Sequence, residues 1–431
     1  MGQVEERVST PQLEAEQSAA DQVESVPQPE SVATRLRKHL GWRLPGQNTV
    51  AALVAPGVVY IGIRELSLMV LRWIAGRNQL SVPSALTSWD GQWFLNIAKF
   101  GYDGVSPNLV DAFGKRNPDT PMAFFPGYPA MVNLLNRLPG VGLVSAAFAV
   151  SLVSGIVCAY AISRLARQVA PVTGLDDAGR PLNAQRLGLI MVALFAASPM
   201  AIVLSMAYSE SLFCALAAWA LVGVLERRWL LAGVMTLGAG LVRPTVGALI
   251  VVVGLAALLA IIGRRDGWRP WAAGLLAPLG LIGYLLWVGR RSGRLDGWFV
   301  LQRDGWNSRF DFGAETWKFS LDVLASGRSV LETVTVGILI VAVVLMVIGW
   351  RQGVPWPLLA YAAGVFLMDV GSNGLMNSKA RLLLPAFTLV IPVAVALARK
   401  RQQTVLLVLA AVAVASAWFG TYSIAAWGYA I

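Results

Sequence analysis

The residues best suited to acid–base chemistry lie at 88–94, in the sequence SWDGQWF. Its carboxylate, Asp90, stands where an amphipathic helix is predicted to begin, because large apolar side chains follow at helical spacing. These side chains are Trp89, Trp93, Ile97 and Phe100. Asp90 could cap the free backbone amides of that helix. It could also act as a general base at the water–lipid boundary, positioned by tryptophans that anchor the helix, and the two roles are compatible.

Cations that could neutralise a departing phosphate stand near predicted helix ends and inside one predicted span. They are Arg243, Lys379 and Arg381 near span ends, and Arg64 within the first span. Arginine offers a fork of donors that suits phosphate oxygens, but a cation near a span end also snorkels to the interface without any function. For Arg64 a cavity-lining role is favoured, since a charge inside a span faces a cavity or a partner by default.

Other polar residues limit the classes of reaction that the protein could catalyse. Glu210 lies at a predicted turn between two spans, where it could pair with an arginine or bond an acceptor, and pairing is favoured. The single histidine, His39, precedes the first span, which excludes a Ser–His triad and a histidine-ligated zinc site. No Asp-x-Asp motif occurs, which argues against a nucleotide-sugar enzyme that coordinates Mn²⁺ or Mg²⁺. We therefore expect neither a metal nor a cofactor.

The elements that must position these groups are membrane spans. Of 431 residues, 56% are hydrophobic and only 14% are charged, with a mean hydropathy of +0.61, whereas soluble domains carry about a quarter charged residues. Runs of ~20 apolar residues recur, and this length crosses a bilayer core. A soluble globular enzyme is excluded. A disulfide scaffold is excluded too, because Cys158 and Cys214 lie inside apolar runs.

Hydropathy and its interruptions predict an all-α, multi-pass membrane protein with about 11 transmembrane helices. The spans lie at roughly 48–72, 143–166, 187–206, 210–226, 229–243, 246–263, 271–289, 331–350, 354–371, 382–398 and 403–424. The division within 229–263 is the weakest part of this prediction, because two spans share one short break at Arg243–Pro244.

Charge predicts the orientation of the spans. An acidic segment, 1–34, precedes a basic patch at 35–43, which identifies the N-terminus as cytoplasmic. With this orientation every basic connection falls on the cytoplasmic side, at 163–186, 226–229, 264–269, 351–353 and 399–403. We therefore divide the chain into a disordered tail with a basic end, 1–45, and a membrane domain, 46–431.

The basic patch is a membrane signal rather than a nucleic-acid surface. Only six of the 35 basic residues are lysine, a usage typical of GC-rich bacterial genomes. The predicted location is therefore a bacterial plasma membrane.

Three segments are then extracytoplasmic, at 73–142, 290–330 and 369–381. The first is too long for a plain connection, and long loops in compact folds are usually functional. It carries the amphipathic helix, expected to lie in the membrane interface. It also carries a backbone broken by proline and glycine at 124–129, of the kind tolerated where it lines a cavity. This loop is expected to hold the active site.

Two blocks of this sequence are similar to signatures of a known family. Trp89-Asp90 with Phe94, Ile97-Ala98 and Gly101-Tyr102, followed by FFPGYP at 124–129, resembles the first luminal loop of the PIG-V family. That family adds the second mannose in glycosylphosphatidylinositol anchor synthesis and belongs to the GT-C superfamily. YSESLF at 208–213 resembles a further family signature, whereas RPT at 243–245 matches only in its arginine. The resemblance covers roughly residues 50–400.

The resemblance implies a GT-C glycosyltransferase. Such enzymes take a sugar from a polyprenyl phosphate on the extracytoplasmic side and transfer it to an acceptor hydroxyl, with inversion at the anomeric carbon and often without a metal. It implies that Asp90 is the base. The candidate ligands of the donor phosphate are Arg243, Arg381, Lys379 and Arg64. The candidate acceptor-binding or supporting residues are Glu210, Tyr208, Trp89, Gln92, Trp93 and Tyr128.

We therefore predict a mannosyltransferase that moves mannose from polyprenyl-phosphate-mannose to a lipid-linked glycan or glycolipid among the membrane lipids. Another sugar on the same carrier, such as glucose, galactose or a pentose, is an alternative that the residues do not discriminate. A lipid-linked-sugar flippase or transporter is a second alternative. Transporters commonly show related halves with paired broken helices, and no such repeat is found in this sequence.

Overall fold

The computed structural model describes residues 2, 47–175, 179, 181–326, 329–374 and 376–427. Apart from Gly2, the predicted tail lies outside the described residues. The chain divides into two compact units, Met1–Ala51 and Ala52–Ile431. The contacts of the candidate site all belong to the second unit.

Helices make up nearly all of the described structure. The α-helices are α1 (Gln47–Arg77), α2 (Val82–Leu86), α3 (Asp90–Phe100), α4 (Gly127–Asn136), α5 (Leu143–Val169), α6 (Ala184–Ala196), α7 (Glu210–Leu225), α8 (Trp229–Gly240), α9 (Val246–Ile262), α10 (Arg269–Leu276), α11 (Leu279–Ser292), α12 (Gly297–Trp306), α13 (Ala314–Ser326), α14 (Val330–Arg351), α15 (Trp356–Val370), α16 (Lys379–Leu382), α17 (Ile391–Ala398) and α18 (Gln402–Ala425). Short 3₁₀ helices lie at Thr120–Ala123, Ala201–Ser205, Met376–Ser378 and Phe387–Val390. Within the described ranges, β structure is limited to isolated bridges.

The prediction of an all-α, multi-pass fold is confirmed. Five stretches are long and apolar enough to cross a membrane: α1, α5, α10 with α11, α14 and α18. A sixth, Met376–Leu382 with Phe387–Ala398, is bent by 70° at a break. The shorter apolar helices are α6, α7, α8, α9 and α15. Each of the eleven predicted spans therefore coincides with a helix or a broken helix, and the weakest predicted division is found where α8 gives way to α9.

The short helix α7 lies at the centre of the bundle. Its sixteen residues rise about 24 Å, less than the ~30 Å of a bilayer core, and it packs between α5 and α8. Most of its side chains are buried, including Glu210 in the first turn. A carboxylate at a helix start is favoured by the partial positive charge of the free amides there.

The basic connections meet at one end of the molecule, here called the basic end. Arg164 at the end of α5 donates two hydrogen bonds to Glu226, of 2.6 and 2.8 Å. Arg227 pairs with Asp266 at 3.0 Å. The hydrogen bond from Arg164 is the main reason why the pKa of Glu226 lies below its usual value.

Further contacts join the remaining basic connections to the same end. Arg186 donates to the carbonyl of Lys400, and Arg399 donates to the carbonyl of Thr173 at 2.8 Å. A Cβ on Gly353 would lie 3.3 Å from the carbonyl oxygen of Val172, so the connection at 351–353 lies at this end too. The predicted grouping of these connections is therefore found, while their cytoplasmic orientation stays a prediction.

The three predicted outer segments meet at the opposite end, here called the loop end. Arg291 pairs with Asp103, and Gln302 donates to the carbonyl of Ala123 at 3.0 Å. A β-bridge joins Phe310 in the second segment to Ser372 in the third. All three segments thus contribute to one assembly above the ends of the spans.

Candidate functional site

The site is built around the start of α3. Asp90 is the first residue of this helix, and Trp89 occupies the cap position without a capping side-chain hydrogen bond. The carboxylate of Asp90 instead accepts a hydrogen bond of 2.7 Å from Nη1 of Arg381. The interpretation of Asp90 as a helix cap is therefore wrong, because its side chain turns to a cation from another segment.

Trp89 has a strained backbone. Its φ of +47° and ψ of −114° lie outside the regions that a large side chain favours. Such conformations cost of order 1–3 kcal/mol and cluster at functional sites, where the surrounding structure imposes them. The strain occurs at the residue directly before Asp90.

Asp90 is the open end of a row of four alternating charges, here called the charge chain. Arg381 bridges from Asp90 to Glu210, with Nε 3.8 Å from Oε1 of Glu210. Arg243 lies on the other side of Glu210, with Nη1 2.7 Å from the same oxygen. Asp90 is 30% exposed, whereas Arg381, Glu210 and Arg243 are 9%, 0% and 12% exposed. The formal charges of the chain sum to zero.

The contacts that Glu210 makes within the charge chain are ion pairs without hydrogen-bond geometry. Although Arg243 comes within 2.7 Å of Glu210, neither carboxylate oxygen of Glu210 has a partner with hydrogen-bond geometry among the described residues. Arg243 donates a regular hydrogen bond to Oγ of Ser209 instead, at 3.1 Å. Because these charges are removed from water, each depends on its neighbours for compensation.

Tyr208 joins the charge chain to the first outer loop. Its ring lies under Arg381, with the guanidinium carbon 5.3 Å from the ring centre, a distance at which cation and ring attract each other. Its hydroxyl donates to the carbonyl of Ser88 at 3.2 Å. Burial, and next the Asp90 carboxylate, raise the pKa of Tyr208. Tyr208 is therefore a protonated support rather than a base.

The aromatic face of α3 packs against the protein. The ring centre of Trp93 lies 5.1 Å from that of Phe124, and Phe94 lies 5.3 Å from Tyr128. Tyr128 is fully buried, and its hydroxyl contacts the carbonyl of Ala147 and Oγ of Ser151, at 3.0 Å each. Trp93 and Tyr128 thus stand behind the charge chain as packing residues in this structure.

On the opposite face of α3, Gln92 is exposed. Its side chain has no hydrogen-bond partner among the residues that the structure describes. Trp89 is half-buried beside it. Both predicted supporting residues thus keep part of their surface free for a ligand.

The motif FFPGYP supports the turn that carries Arg243. The amide of Gly127 donates to the carbonyl of Leu241 at 2.7 Å. A Cβ on Gly127 would lie 2.7 Å from Cγ2 of Val242 and 2.8 Å from that same carbonyl oxygen, so only glycine fits. The sequence indicated broken backbone here but not its partner, which follows more than a hundred residues later.

Two of the predicted phosphate ligands bond to the backbone instead. Lys379 donates to the carbonyls of Asp369 and Ser372, at 2.7 and 2.8 Å, and so closes the turn before α16. Arg64 donates to the carbonyls of Ala196 and Ala201, which are freed where α6 ends. The structure thus brings Arg243 and Arg381 together with Asp90, whereas Lys379 and Arg64 bond to backbone carbonyls outside the charge chain.

In the second outer segment, the sequence marks 302–312 as a stretch of aromatic and amide groups that could bind sugar, with a plain membrane-surface loop favoured, and it does not mark Trp298. In the structure, residues of this segment hold the first outer segment. Trp298 and Gln302, one helical turn apart in α12, both donate to the carbonyl of Ala123, at 3.3 and 3.0 Å. Trp306 lies with its ring centre 6.1 Å from that of Trp93. The spacing of four between Trp298 and Gln302 was a signal for this common face.

Comparison with protein-family models and with curated protein sequences finds no match to this chain. Among solved structures, the chain is similar to ArnT from Cupriavidus metallidurans bound to undecaprenyl phosphate, with 14% identity and a TM-score of 0.49 over 82% of this chain and 63% of that one. The apo state of that ArnT is similar with 14% identity and a TM-score of 0.46, over 73% and 56%. The chain thus spans less than two thirds of the ArnT length, and a likeness at this level carries no conclusion about activity.

Proposed function

We propose that the protein is a membrane glycosyltransferase of GT-C type that uses a polyprenyl-phosphate sugar, with Asp90 as the general base. The observation that supports this proposal is the charge chain. One carboxylate remains open to solvent at the loop end, while Arg381 and Glu210 are buried behind it and Arg243 is largely buried. Backbone strain at Trp89, directly before Asp90, adds weight, since strained conformations cluster at functional sites.

The proposed reaction is a direct displacement at the anomeric carbon of the donor sugar, with Asp90 as the proton acceptor. The acceptor hydroxyl gives its proton to a carboxylate oxygen of Asp90. The acceptor oxygen forms a bond to the anomeric carbon on the face opposite the phosphate, and the bond from that carbon to the phosphate oxygen breaks. The electron pair leaves with the phosphate, so the configuration inverts.

Proton transfer also changes the net charge of the charge chain in the direction that stabilises the departing phosphate. Before transfer it is neutral and the donor, a phosphodiester, carries one negative charge. When Asp90 takes the proton, its negative charge disappears and the net charge of the charge chain rises from zero to +1, which leaves the charge of Arg381 free to act on the donor. The departing polyprenyl phosphate gains one negative charge. Positive charge held in advance at the place where negative charge develops stabilises a transition state effectively. Arg381 is accordingly the proposed phosphate partner, with Arg243 and Glu210 behind it.

The sugar and acceptor rest on sequence resemblance alone. The similarity of residues 89–102, 124–129 and 208–213 to the PIG-V family supports mannose as the transferred sugar. A lipid-linked glycan or glycolipid is the proposed acceptor, on the extracytoplasmic face of the membrane. Glucose, galactose or a pentose on the same carrier is the alternative within this reaction class.

The test is transfer of label from radiolabelled polyprenyl-phosphate-mannose to a membrane lipid extract by the purified protein. Asp90→Asn should lower turnover about 10²–10⁴-fold, the usual contribution of a general base. Asp103→Asn is the matched control, because Asp103 lies in the same loop but is 79% exposed and pairs with Arg291.

Equal turnover by wild type and Asp90→Asn would discard Asp90 as the base while keeping the enzyme class. Transfer from another polyprenyl-phosphate sugar but not from the mannose donor would discard mannose. Lipid-linked sugar crossing the membrane without transfer would replace the enzyme by the flippase alternative.

A further inference from the structure

A groove opens on the side of the bundle, away from the charge chain. It has a volume of about 670 Å³ and runs between α1, α6 and α18. Its walls are mainly apolar and include Ile63, Ile190, Val405 and Leu409. Such a groove in a membrane-spanning bundle faces lipid rather than water.

One end of the groove is polar and cationic. Asn183, Arg186 and Gln402 line it there, and Arg399, Lys400 and Arg401 stand directly before α18. Arg186 is half-buried and donates to the carbonyl of Lys400. Its Nε has no hydrogen-bond partner among the described residues. This end of the groove therefore offers donors and positive charge beside an apolar channel.

The length of the groove matches one leaflet. Asn183 to Ala193 along α6, and Gln402 to Ala413 along α18, each rise about 15 Å, which is half of a ~30 Å bilayer core. The polar end belongs to the basic end of the molecule, opposite Asp90. A carrier lipid with its phosphate at Arg186 could not present its sugar to the charge chain.

We propose that this groove binds one acyl chain of an anionic phospholipid, whose phosphate is held at Arg186. The chain lies along α6 and α18 toward Ala193 and Ala413. The phosphate meets the Arg186 guanidinium and the basic residues before α18, since arginine donors match phosphate oxygens. This site is separate from the proposed active site and does not depend on the proposed reaction.

The test uses the purified full chain in an uncharged detergent, titrated with phosphatidylglycerol or with phosphatidylcholine of identical acyl chains. The shift of the thermal unfolding midpoint reports binding. Phosphatidylglycerol should bind wild type about tenfold more tightly than phosphatidylcholine, because the choline cation compensates the phosphate charge and is repelled by the basic residues at this end of the groove. Arg186→Gln should weaken the binding of both lipids by removing a hydrogen bond to the phosphate, and should reduce this preference by removing one of the positive charges.

A pair of alanines on α18 supplies a matched steric test. Ala410 lines the groove, whereas the adjacent Ala411 does not, and both are exposed. Ala410→Trp should fill the channel and weaken binding of both lipids, while Ala411→Trp should leave binding unchanged. Because both variants add the same side chain to the same helix, a general effect on folding affects both alike.

Three results would overturn the proposal. The first is equal binding of both phospholipids by wild type. The second is an equal loss of binding in Ala410→Trp and Ala411→Trp. The third is displacement of phosphatidylglycerol by equimolar undecaprenyl phosphate, which would assign the groove to a carrier lipid instead.

Discussion

At the basic end, Arg164 and Glu226 meet through two direct hydrogen bonds, and both side chains reach solvent, at 31% and 13% exposure. At the loop end, Glu210 is wholly buried between two arginines, neither of which donates to it with hydrogen-bond geometry. Both arrangements combine arginine with glutamate. They differ in how deeply the glutamate is buried and in whether arginine donates hydrogen bonds to it. They also differ in that only the row at the loop end continues to a second carboxylate, Asp90.

The comparison separates an ion pair near the surface from a buried row of charges, for which we propose a role in catalysis. A pair near the surface gains little because water screens it and solvates either partner alone. A buried row of charges is different, since each member is costly without its neighbours. The loop end maintains this costly arrangement around the wholly buried Glu210, and its most exposed member is Asp90, the residue that we propose as the base.

The largest expected effect comes from removing the buried carboxylate. Glu210→Gln leaves Arg243 without its carboxylate and Arg381 paired with Asp90 alone, so the charge chain keeps one uncompensated positive charge. The free energy of unfolding should therefore fall by about 3–5 kcal/mol. Glu226→Gln, the matched change at the basic end, should cost about 1 kcal/mol or less. Denaturant unfolding of both variants in the same detergent measures the difference. Equal losses would remove the distinction between the two ends.

Arg381→Lys should have the next largest effect, on turnover rather than stability. Lysine keeps the charge but cannot contact Asp90 and Glu210 together, because it lacks the planar fork of arginine. We expect turnover to fall about 10²-fold, as on loss of one preorganised donor. Arg291→Lys, at the exposed pair with Asp103, should keep normal turnover. A fully active Arg381→Lys would show that charge alone suffices.

Gly127→Ala should disturb the charge chain from a distance. The added methyl group meets Leu241 and Val242 at under 3 Å, and overpacking of this kind costs about 1–3 kcal/mol. The turn that carries Arg243 should shift, lowering both the unfolding midpoint and turnover. Gly142→Ala, which meets nothing within 4 Å, is the control. If the two variants behave alike, the contact between FFPGYP and this turn is not a support for the site.

The smallest effect is a pH dependence at the basic end. Since the pKa of Glu226 is lowered, chiefly by the hydrogen bond from Arg164, the pair stabilises the fold above the ordinary glutamate pKa and loses this contribution as the pH falls through the folded pKa. Wild type should therefore exceed Glu226→Gln in stability by up to about 1 kcal/mol at pH 7. The two should converge only below the folded pKa, which itself lies below the ordinary value of 4.5. A gap of equal size at both pH values would contradict this account.

Much of the fold could be predicted because hydropathy is a local property. A run of apolar residues marks a helix whatever its neighbours are, so all eleven predicted spans coincide with helices. The role of Asp90 as a cap could not be judged in this way, since spacing alone does not show where a side chain turns. Spacing likewise did not show the partners of Lys379 and Arg64. Their donors bond to backbone carbonyls that lie near them only in the folded chain.

The sequence by itself determined that this is a multi-pass helical membrane protein, that its basic connections share one end, and that its first long loop begins an amphipathic helix at Asp90. Only the tertiary structure decided that Asp90 meets Arg381, 291 residues later, and that Glu210 links Arg381 to Arg243. The physical reason is range. Helix formation and membrane partition depend on neighbouring residues, whereas the pairing of buried charges depends on how distant helices pack.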